Sequence, residues 1–365
     1  MYYLCNLACK VTITFEYIQE FKVFYLVKFK KSITFALLII NCLFDMESKK
    51  EIYRRLCETE SSIPLFMQYW WLEAVCAGKK WDVMLSYDAQ QNVRAALPYL
   101  WNERLKMKYI LMPQQTQIGG VWVKPEYVNS ASVLQEIAAD FQSELDHLKL
   151  AYYYQHFPLN SKMPDVFAQL GFKVKNRITY RIEDLSDLDA VIDHFSKNKK
   201  RQLQKALSAT VDFDLDAEKF YYFHQNCLLE RKKQISYSRE FFLVLYEKCV
   251  EHHQGQIIAV RGPEGQLQAA AFLVWDNNSL YYLIPTYSEA EKDSGASARL
   301  VLESIKFARN VSKAFDFEGS MISGVANHYK QFGSEAVAYK SVEKYYHWYF
   351  WFALAFNKLR NLNKF

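Results

Sequence analysis

Phe315-Asp316-Phe317-Glu318-Gly319-Ser320-Met321 alternates aromatic and acidic side chains and then breaks at glycine. Period-two alternation marks a strand with one buried face, and a glycine after it lets the backbone turn sharply or approach a ligand closely. The strand therefore delivers a carboxylate to its end. Just downstream, Tyr329-Lys330-Gln331-Phe332-Gly333 sets Tyr329 and Phe332 three apart ahead of a glycine, which predicts a short helix closed by that glycine. Strand, turn and helix are expected to form one wall of a cleft that carries chemistry.

Moving outward, the stretch is preceded by a periodic helix, Ala298 to Val311. Before that comes a hairpin pattern, Gln256 to Arg261, the turn Gly262-Pro263-Glu264-Gly265, then Leu267 to Trp275. The same succession occurs earlier. Trp81 to Tyr87 and Val93 to Trp101 form a hairpin pattern, Val133 to Leu148 a helix, Ala151-Tyr152-Tyr153-Tyr154 a strand, and Phe167 to Phe172 a short helix closed by Gly171. Final strands are expected at Ile178 to Ile182 and at Ala336 to Tyr339. Equivalent segments lie roughly 160 to 175 residues apart, too far for a solenoid and right for a duplicated domain.

A unit of hairpin, helix, strand, helix and strand is a mixed α/β sheet. The expectation is two tandem α/β domains, 46–183 and 184–344, followed by an aromatic and basic tail, 345–365. The acidic run Asp184-Leu185-Ser186-Asp187-Leu188-Asp189 marks the boundary and caps a helix running to Phe195. The first copy of the strand, Tyr152-Tyr153-Tyr154-Gln155-His156-Phe157, carries no acid, so Asp316 and Glu318 distinguish the second.

A chain of 365 residues with 51% hydrophobic and 16% aromatic content fills more than one ordinary core. Its net charge of +5, from 45 basic and 40 acidic residues, does not imply wholesale coating of nucleic acid. Seven cysteines without CxxC spacing argue against a zinc site and a disulfide framework, and no metal is expected. Reduced thiols fit the cytoplasm. Residues 1–45 form an atypical extension whose apolar run, Ile33 to Phe44, is too short to span a bilayer and lacks a small-x-small cleavage site. Met46-Glu47-Ser48-Lys49-Lys50-Glu51 looks like the ordinary start of a soluble domain, so 1–45 reads either as part of the protein or as translated upstream sequence.

With Ser196-Lys197-Asn198-Lys199-Lys200-Arg201-Gln202-Leu203-Gln204-Lys205-Ala206 added, the pattern from Ile63 to Tyr345 resembles the Fem-type peptidyl transferases, which have two tandem domains of the GNAT acyltransferase fold. It is most similar to their FemAB-like, GNAT-like bacterial branch. The resemblance implies transfer of an acyl or aminoacyl group to an amine of a cell-envelope or sugar-type precursor, small or linked to a lipid or nucleotide. The implied co-substrate is acetyl-CoA, another acyl-CoA or aminoacyl-tRNA, with no tightly bound cofactor. In GNAT enzymes the CoA pyrophosphate rests on amides before a helix. Here that stretch is Lys292-Asp293-Ser294-Gly295-Ala296-Ser297-Ala298-Arg299, with one glycine and with Asp293 set to repel phosphate.

Glu318 is the candidate general base, provided burial raises its pKa; the bland alternative is a carboxylate capping the next helix, a job Ser320 also suits. Lys197, Arg201 and Lys205 share a helix face. Lys200 and Arg201 are candidates for a phosphate clamp on a nucleotide-linked or tRNA ligand, against a merely solvated face. Asp316, Ser320, Arg299, Tyr237, Tyr287, Tyr329 and Phe332 complete the expected donor and acceptor contacts, with packing the alternative for each tyrosine. Arg231-Lys232-Lys233 ahead of Ser236-Tyr237-Ser238 suits an anionic acceptor, whereas His252-His253 reads as a surface turn. Pro113 to Gly120 is expected to turn along the cleft between the domains. The tail, aromatic and then basic, suits either peripheral contact at the inner face of the membrane or packing on the protein's own surface. Beside acyl or aminoacyl transfer stand an acetyl-CoA-dependent N-acetyltransferase and a binding module that kept the fold but lost the donor loop.

Overall fold

The computed structural model describes residues 48–104, 106–319, 323–348 and 350. The readings placed on 1–45, on Ser320 and on most of the 345–365 tail lie outside the described residues. The described residues from Tyr53 onward form one compact unit. It opens with the rest of α1 (Lys49–Thr59), a one-turn 3-10 helix at Leu65–Met67 and α2 (Tyr69–Val75).

The expected hairpin follows: β1 (Trp81–Tyr87) pairs antiparallel with β2 (Val93–Arg104), Leu85 opposite Ala96. β3 (Met107–Leu111) adds antiparallel to β2, and the short β4 (Trp122–Val123) pairs β2 at Ala95 and Ala96. The crossover helix α3 (Ala131–His147) turns Leu134, Ile137, Ala138, Phe141 and Leu145 inward at helical spacing. It returns the chain to β5 (Tyr152–His156), parallel to β3. Then come α4 (Met163–Gln169) and β6 (Lys173–Ile182).

The second repeat begins with α5 (Leu188–Asp193), where the Asp187 side chain accepts the amides of Asp189 and Ala190, the cap the acidic run implied. α6 (Lys197–Lys205) is capped by Ser196. After β7 (Thr210–Asp212), α7 (Ala217–Glu230) and α8 (Arg239–Glu251) stand where no helix was expected. Their Phe- and Tyr-rich faces blur the helical period. The caps at Asp216 and Ser238, which accept from the Lys219 and Phe241 amides, were the legible signal. β8 (Gly255–Arg261), β9 (Leu267–Trp275) and β10 (Ser279–Tyr287) form a meander. α9 (Ala296–Val311) crosses to β11 (Ala314–Asp316), parallel to β10, and α10 (Ser323–Lys330) leads to β12 (Glu335–Tyr345).

All the strands among the described residues belong to one sheet in the order β1-β2-β3-β5-β12-β6-β11-β10-β9-β8-β7, with β4 off the path. The last strands of the two repeats are exchanged. β12 lies antiparallel between β5 and β6, with Val342 opposite Gln155 on one side and Val174 on the other. β6 in turn borders β11, Asp316 opposite Arg181. Side-chain burial accounts for the exchange. Val342 of β12 is packed in one core with Tyr153, Phe167 and Phe172, whereas Tyr180 and Ile182 of β6 join Phe315, Phe317 and Phe332 in the other. β12 also runs six residues past its expected end at Tyr339, so residue 345 belongs to a strand.

Candidate active site

Asp316 ends β11 and is fully buried. Its Oδ2 lies 2.9 Å from Nη1 of Arg181, and its Oδ1 accepts both the Thr179 hydroxyl and, at 2.8 Å, the backbone amide of Glu318. Burial nevertheless raises its carboxyl pKa, against the opposing pull of Arg181. Every second residue of β6 faces this side of the sheet, so Arg177, Thr179 and Arg181 share one polar row.

Glu318 itself is left-handed, at φ 61°, and Gly319 after it at φ 57°. A Cβ on Gly319 would sit 2.2 Å from the Ile178 carbonyl oxygen, and the Phe317 amide donates to Tyr180 O at 2.9 Å. The turn thus lies flat on β6, which only glycine at 319 permits. A non-glycine residue in this conformation costs about 1–2 kcal/mol and persists where its surroundings fix it, commonly at functional sites. Although Glu318 is partly exposed as a residue, its Oε1 is buried and has no hydrogen-bond partner among the described residues. Burial, and then the charge of Asp316, push its carboxyl well above the usual range.

Around this carboxyl stand Tyr329 and Tyr339. Burial and Glu318 push the Tyr329 phenol up to about 12, and Tyr339 lies within electrostatic reach of both Glu318 and Arg177. Tyr339 pairs with Arg177 across β12 and β6, and its ring meets that of His156 at 5.5 Å. Nδ1 of His156 donates to Gln117 O at 2.8 Å, and its Nε2 accepts from Tyr154 at 2.9 Å. Burial drives the His156 pKa down to about 4, so the ring is neutral. Gln117 reaches Thr179 with Nε2, while Gln117 Oε1 and Arg177 Nε are buried without a partner among the described residues. Gln117 thus brings the loop from Pro113 to Gly120 against Thr179 and His156. Glu318, Arg177 and Gln117 leave unsatisfied groups along one face, which calls for a ligand or water there.

Of the other expected residues, Phe332 is fully buried and packs on Phe317 and Phe195, so it and Tyr329 support the turn from the core side. Lys200 lies 3.3 Å from Asp193 Oδ1, and Arg201 donates to Asn198 within α6; neither is brought to Glu318. Arg299 Nε sits 3.1 Å from Glu303 along α9. Tyr237 is buried with its hydroxyl unpartnered among the described residues, its ring stacked on His224. Tyr287 is exposed, with the Arg231 guanidinium 4.0 Å from its ring centre. Gln114 donates to Ser236 O at 2.9 Å, so the loop carrying Tyr237 touches the loop carrying Gln117.

Lys199, expected only as one of the basic run on this helix, turns inward. It is 3% exposed, and its Nζ lies 3.1 Å from Gln202 Oε1, 3.3 Å from His328 Nδ1 and 4.7 Å from the Phe332 ring centre. Burial lowers its ammonium pKa to about 8 and that of His328 to about 4. Lys199, Leu203 and Ala206 share a face at i, i+4 and i+7, the signal that this lysine turns inward. The donor-type loop is also shaped by α6. Gly295 caps α9 at φ 82°, and a Cβ on it would stand 2.1 Å from the Gln202 carbonyl oxygen, so packing against α6 requires this glycine.

These features describe a mixed α/β sheet built from two repeats, and residues 172–331, most of them in the second, match the family model of the acetyltransferase (GNAT) domain. That segment begins with β6 and stops short of β12, so it coincides with the half of the sheet running from β6 to β7. FemX is similar in structure at a TM-score of 0.65 and 14% identity, covering 81% of this chain and 96% of that one. A conserved protein of unknown function from Bacteroides thetaiotaomicron follows at 0.54 and 10%, covering 81% and 96%. The C-terminal domain of a putative lysylphosphatidylglycerol synthetase from Agrobacterium fabrum gives 0.51 and 9%, covering 81% and 92%. At these identities the likeness is one of fold. No curated protein matches the sequence.

Proposed function

We propose that the chain transfers an acyl or aminoacyl group from an activated ester or thioester to an amine, at the end of β11. The observation that carries the reading is the Glu318 carboxyl, held in a left-handed turn with a buried, unpartnered oxygen and a raised pKa. In the reaction the amine nitrogen bonds to the donor carbonyl carbon, the C–S or C–O bond breaks, and the leaving sulfur or oxygen takes a proton. Glu318 receives the proton the amine sheds. Arg177, Gln117 and Tyr339 offer the polar contacts that orient the acceptor, and orientation supplies much of the rate when the ester is already activated.

For the donor, aminoacyl-tRNA is favoured over acetyl-CoA, because α6 packs against Gly295 and Asp293 stands in the same loop. The exposed cations of α6 and the Arg231–Tyr287 stack are suited to a polyphosphate or nucleic-acid backbone. The name of the putative lysylphosphatidylglycerol synthetase refers to an aminoacylated lipid, which supports a lipid-linked acceptor for this chain. No helix among the described residues is long and apolar enough to cross a membrane. Phe350 packs on Tyr109 and Tyr152, which anchors the start of the tail on the sheet, while Trp348 is exposed and suits an interfacial contact.

Thermal melting with acetyl-CoA, CoA and aminoacyl-tRNA tests the reading. Stabilisation by aminoacyl-tRNA alone supports it, stabilisation by acetyl-CoA assigns an N-acetyltransferase, and silence with all three favours a binding module.

A further inference from the structure

A cavity of about 350 Å³ opens in the first repeat, between the loop that enters α3 and the loop that leaves β5. Val121, Val128, Leu134, Pro158, Leu159 and Met163 are among its apolar lining. Two side-chain bonds hold its walls: Trp122 Nε1 donates to Ser62 Oγ at 3.0 Å, and Lys162 Nζ to Asn129 Oδ1 at 2.9 Å. Among the described residues, Lys162 is the one charged residue of the lining and no carboxylate shares the cavity with it.

The place of this cavity in the fold gives it meaning. In the duplicated pattern α3 and β5 answer to α9 and β11. The Phe157 amide donates to Lys340 O of β12 at 2.9 Å, just as the Phe317 amide donates to Tyr180 O of β6. That bond fixes the correspondence of the two turns. Where the second repeat continues with Glu318-Gly319, the first continues with Pro158-Leu159. The turn that carries an acid in one repeat thus borders, in the other, an apolar cavity with a lone cation.

A cavity of this size, mostly apolar with a few polar side chains and one exposed ammonium at its edge, has the character of a small-molecule site. Its complement is a ligand with an apolar body, which gains by leaving water, and a single negative head, which pairs with the ammonium better than the neutral Asn129 amide does. We propose that this cavity binds a medium-chain carboxylate, its chain against Val121, Leu134 and Leu159 and its carboxylate on Lys162. The site is separate from the Glu318 turn and independent of the transfer reaction.

The test uses the full chain with decanoate, decanol and decyltrimethylammonium, each below its micellar concentration, read by thermal melting and calorimetric titration. Decanoate is expected to raise the melting temperature by about 3 °C near saturation. Lys162→Met is expected to bind decanoate roughly tenfold more weakly while leaving decanol unchanged. Val128→Trp, at an exposed rim position that the fold tolerates, is expected to melt normally and to lose binding of both. No shift with decanoate, an equal shift with decyltrimethylammonium, or undiminished binding by Val128→Trp would overturn the proposal.

Discussion

The carboxylate of Asp316 accepts the backbone amide of Glu318 at 2.8 Å, while its other oxygen is held by Arg181 at 2.9 Å. One acid thereby positions the next. Both Asp316 oxygens are engaged within the protein, which fixes the left-handed turn that presents Glu318. Arg181→Met leaves Asp316 as an uncompensated buried charge and is expected to cost about 3 kcal/mol, whereas Asp316→Asn leaves Arg181 its bidentate pair with Glu183 and is expected to cost about 1–2 kcal/mol. The double variant should lose at least about 1 kcal/mol less than the sum of the two. Denaturant melts of the four proteins check this, and simple additivity would show that the pair is not coupled.

Glu318 is expected to behave in the opposite way. Its folded pKa is raised, so the fold disfavours the charged form. The resulting penalty appears as pH climbs past the unfolded value, about 4.3, and grows until the folded pKa is reached. Glu318→Gln removes it. The variant should gain about 1 kcal/mol at pH 8 and nothing near pH 4, while kcat for amine acylation falls about a hundredfold. A variant that is no more stable at pH 8 would mean that the carboxyl is solvated after all.

Gly319 and Gly171 separate conformation from contact. Both have positive φ, 57° and 80°, but a Cβ at 319 meets Ile178 O at 2.2 Å whereas one at 171 meets nothing within 4 Å. Gly171→Ala is expected to cost about 1 kcal/mol from the left-handed backbone alone. Gly319→Ala should cost roughly 3 kcal/mol, because the strand must also move. Equal melting temperatures for the two variants would contradict the close approach of the turn to β6.

Much of this was legible because single residues report their own local physics. The alternation through Phe315 and Phe317 gave the strand, and glycine after Glu318 gave the turn. The Ala-Ala hairpins and the paired crossover helices exposed the duplication. What the chain concealed is pairing at long range. Nothing near Val342 says that it belongs with Tyr153 rather than with Phe317, so the exchange of β6 and β12 was invisible. The same limit hid Arg181 as the partner of Asp316, 135 residues away in sequence. The inward turn of Lys199 was hidden for a different reason, since a run of four cations among five residues masks the one that points inward.

That inward lysine carries a pH signature. Its folded pKa is depressed to about 8, so below that pH the fold bears the whole cost of a buried ammonium. The cost fades as pH rises from about 8 toward the unfolded value near 10.4. Lys199→Met should therefore be more stable than the parent by about 2 kcal/mol at pH 7, the gap closing by pH 10. If transfer activity survives the substitution, Lys199 is a structural wedge between α6 and α10. If kcat falls and Lys199→Arg restores it, the buried charge serves the reaction.

The exchanged strands make the two repeats interdependent, and this can be tested by shortening the chain. A chain ending at residue 333 keeps the whole second repeat's core but removes β12. β5 and β6 then lose their common neighbour, and the core of Tyr153, Phe167 and Phe172 loses Val342. Two open strand edges in mid-sheet invite aggregation. Such a chain is expected to melt without a cooperative transition, and residues 48–183 alone should do the same. Supplying a peptide of residues 334–348 in trans should restore cooperative melting to the shortened chain, because the gap between β5 and β6 is a ready template for one antiparallel strand. A cooperative transition in the 48–183 fragment by itself would mean that β6 can close directly on β5, and that the exchange is a choice of the full chain rather than a requirement of its first repeat.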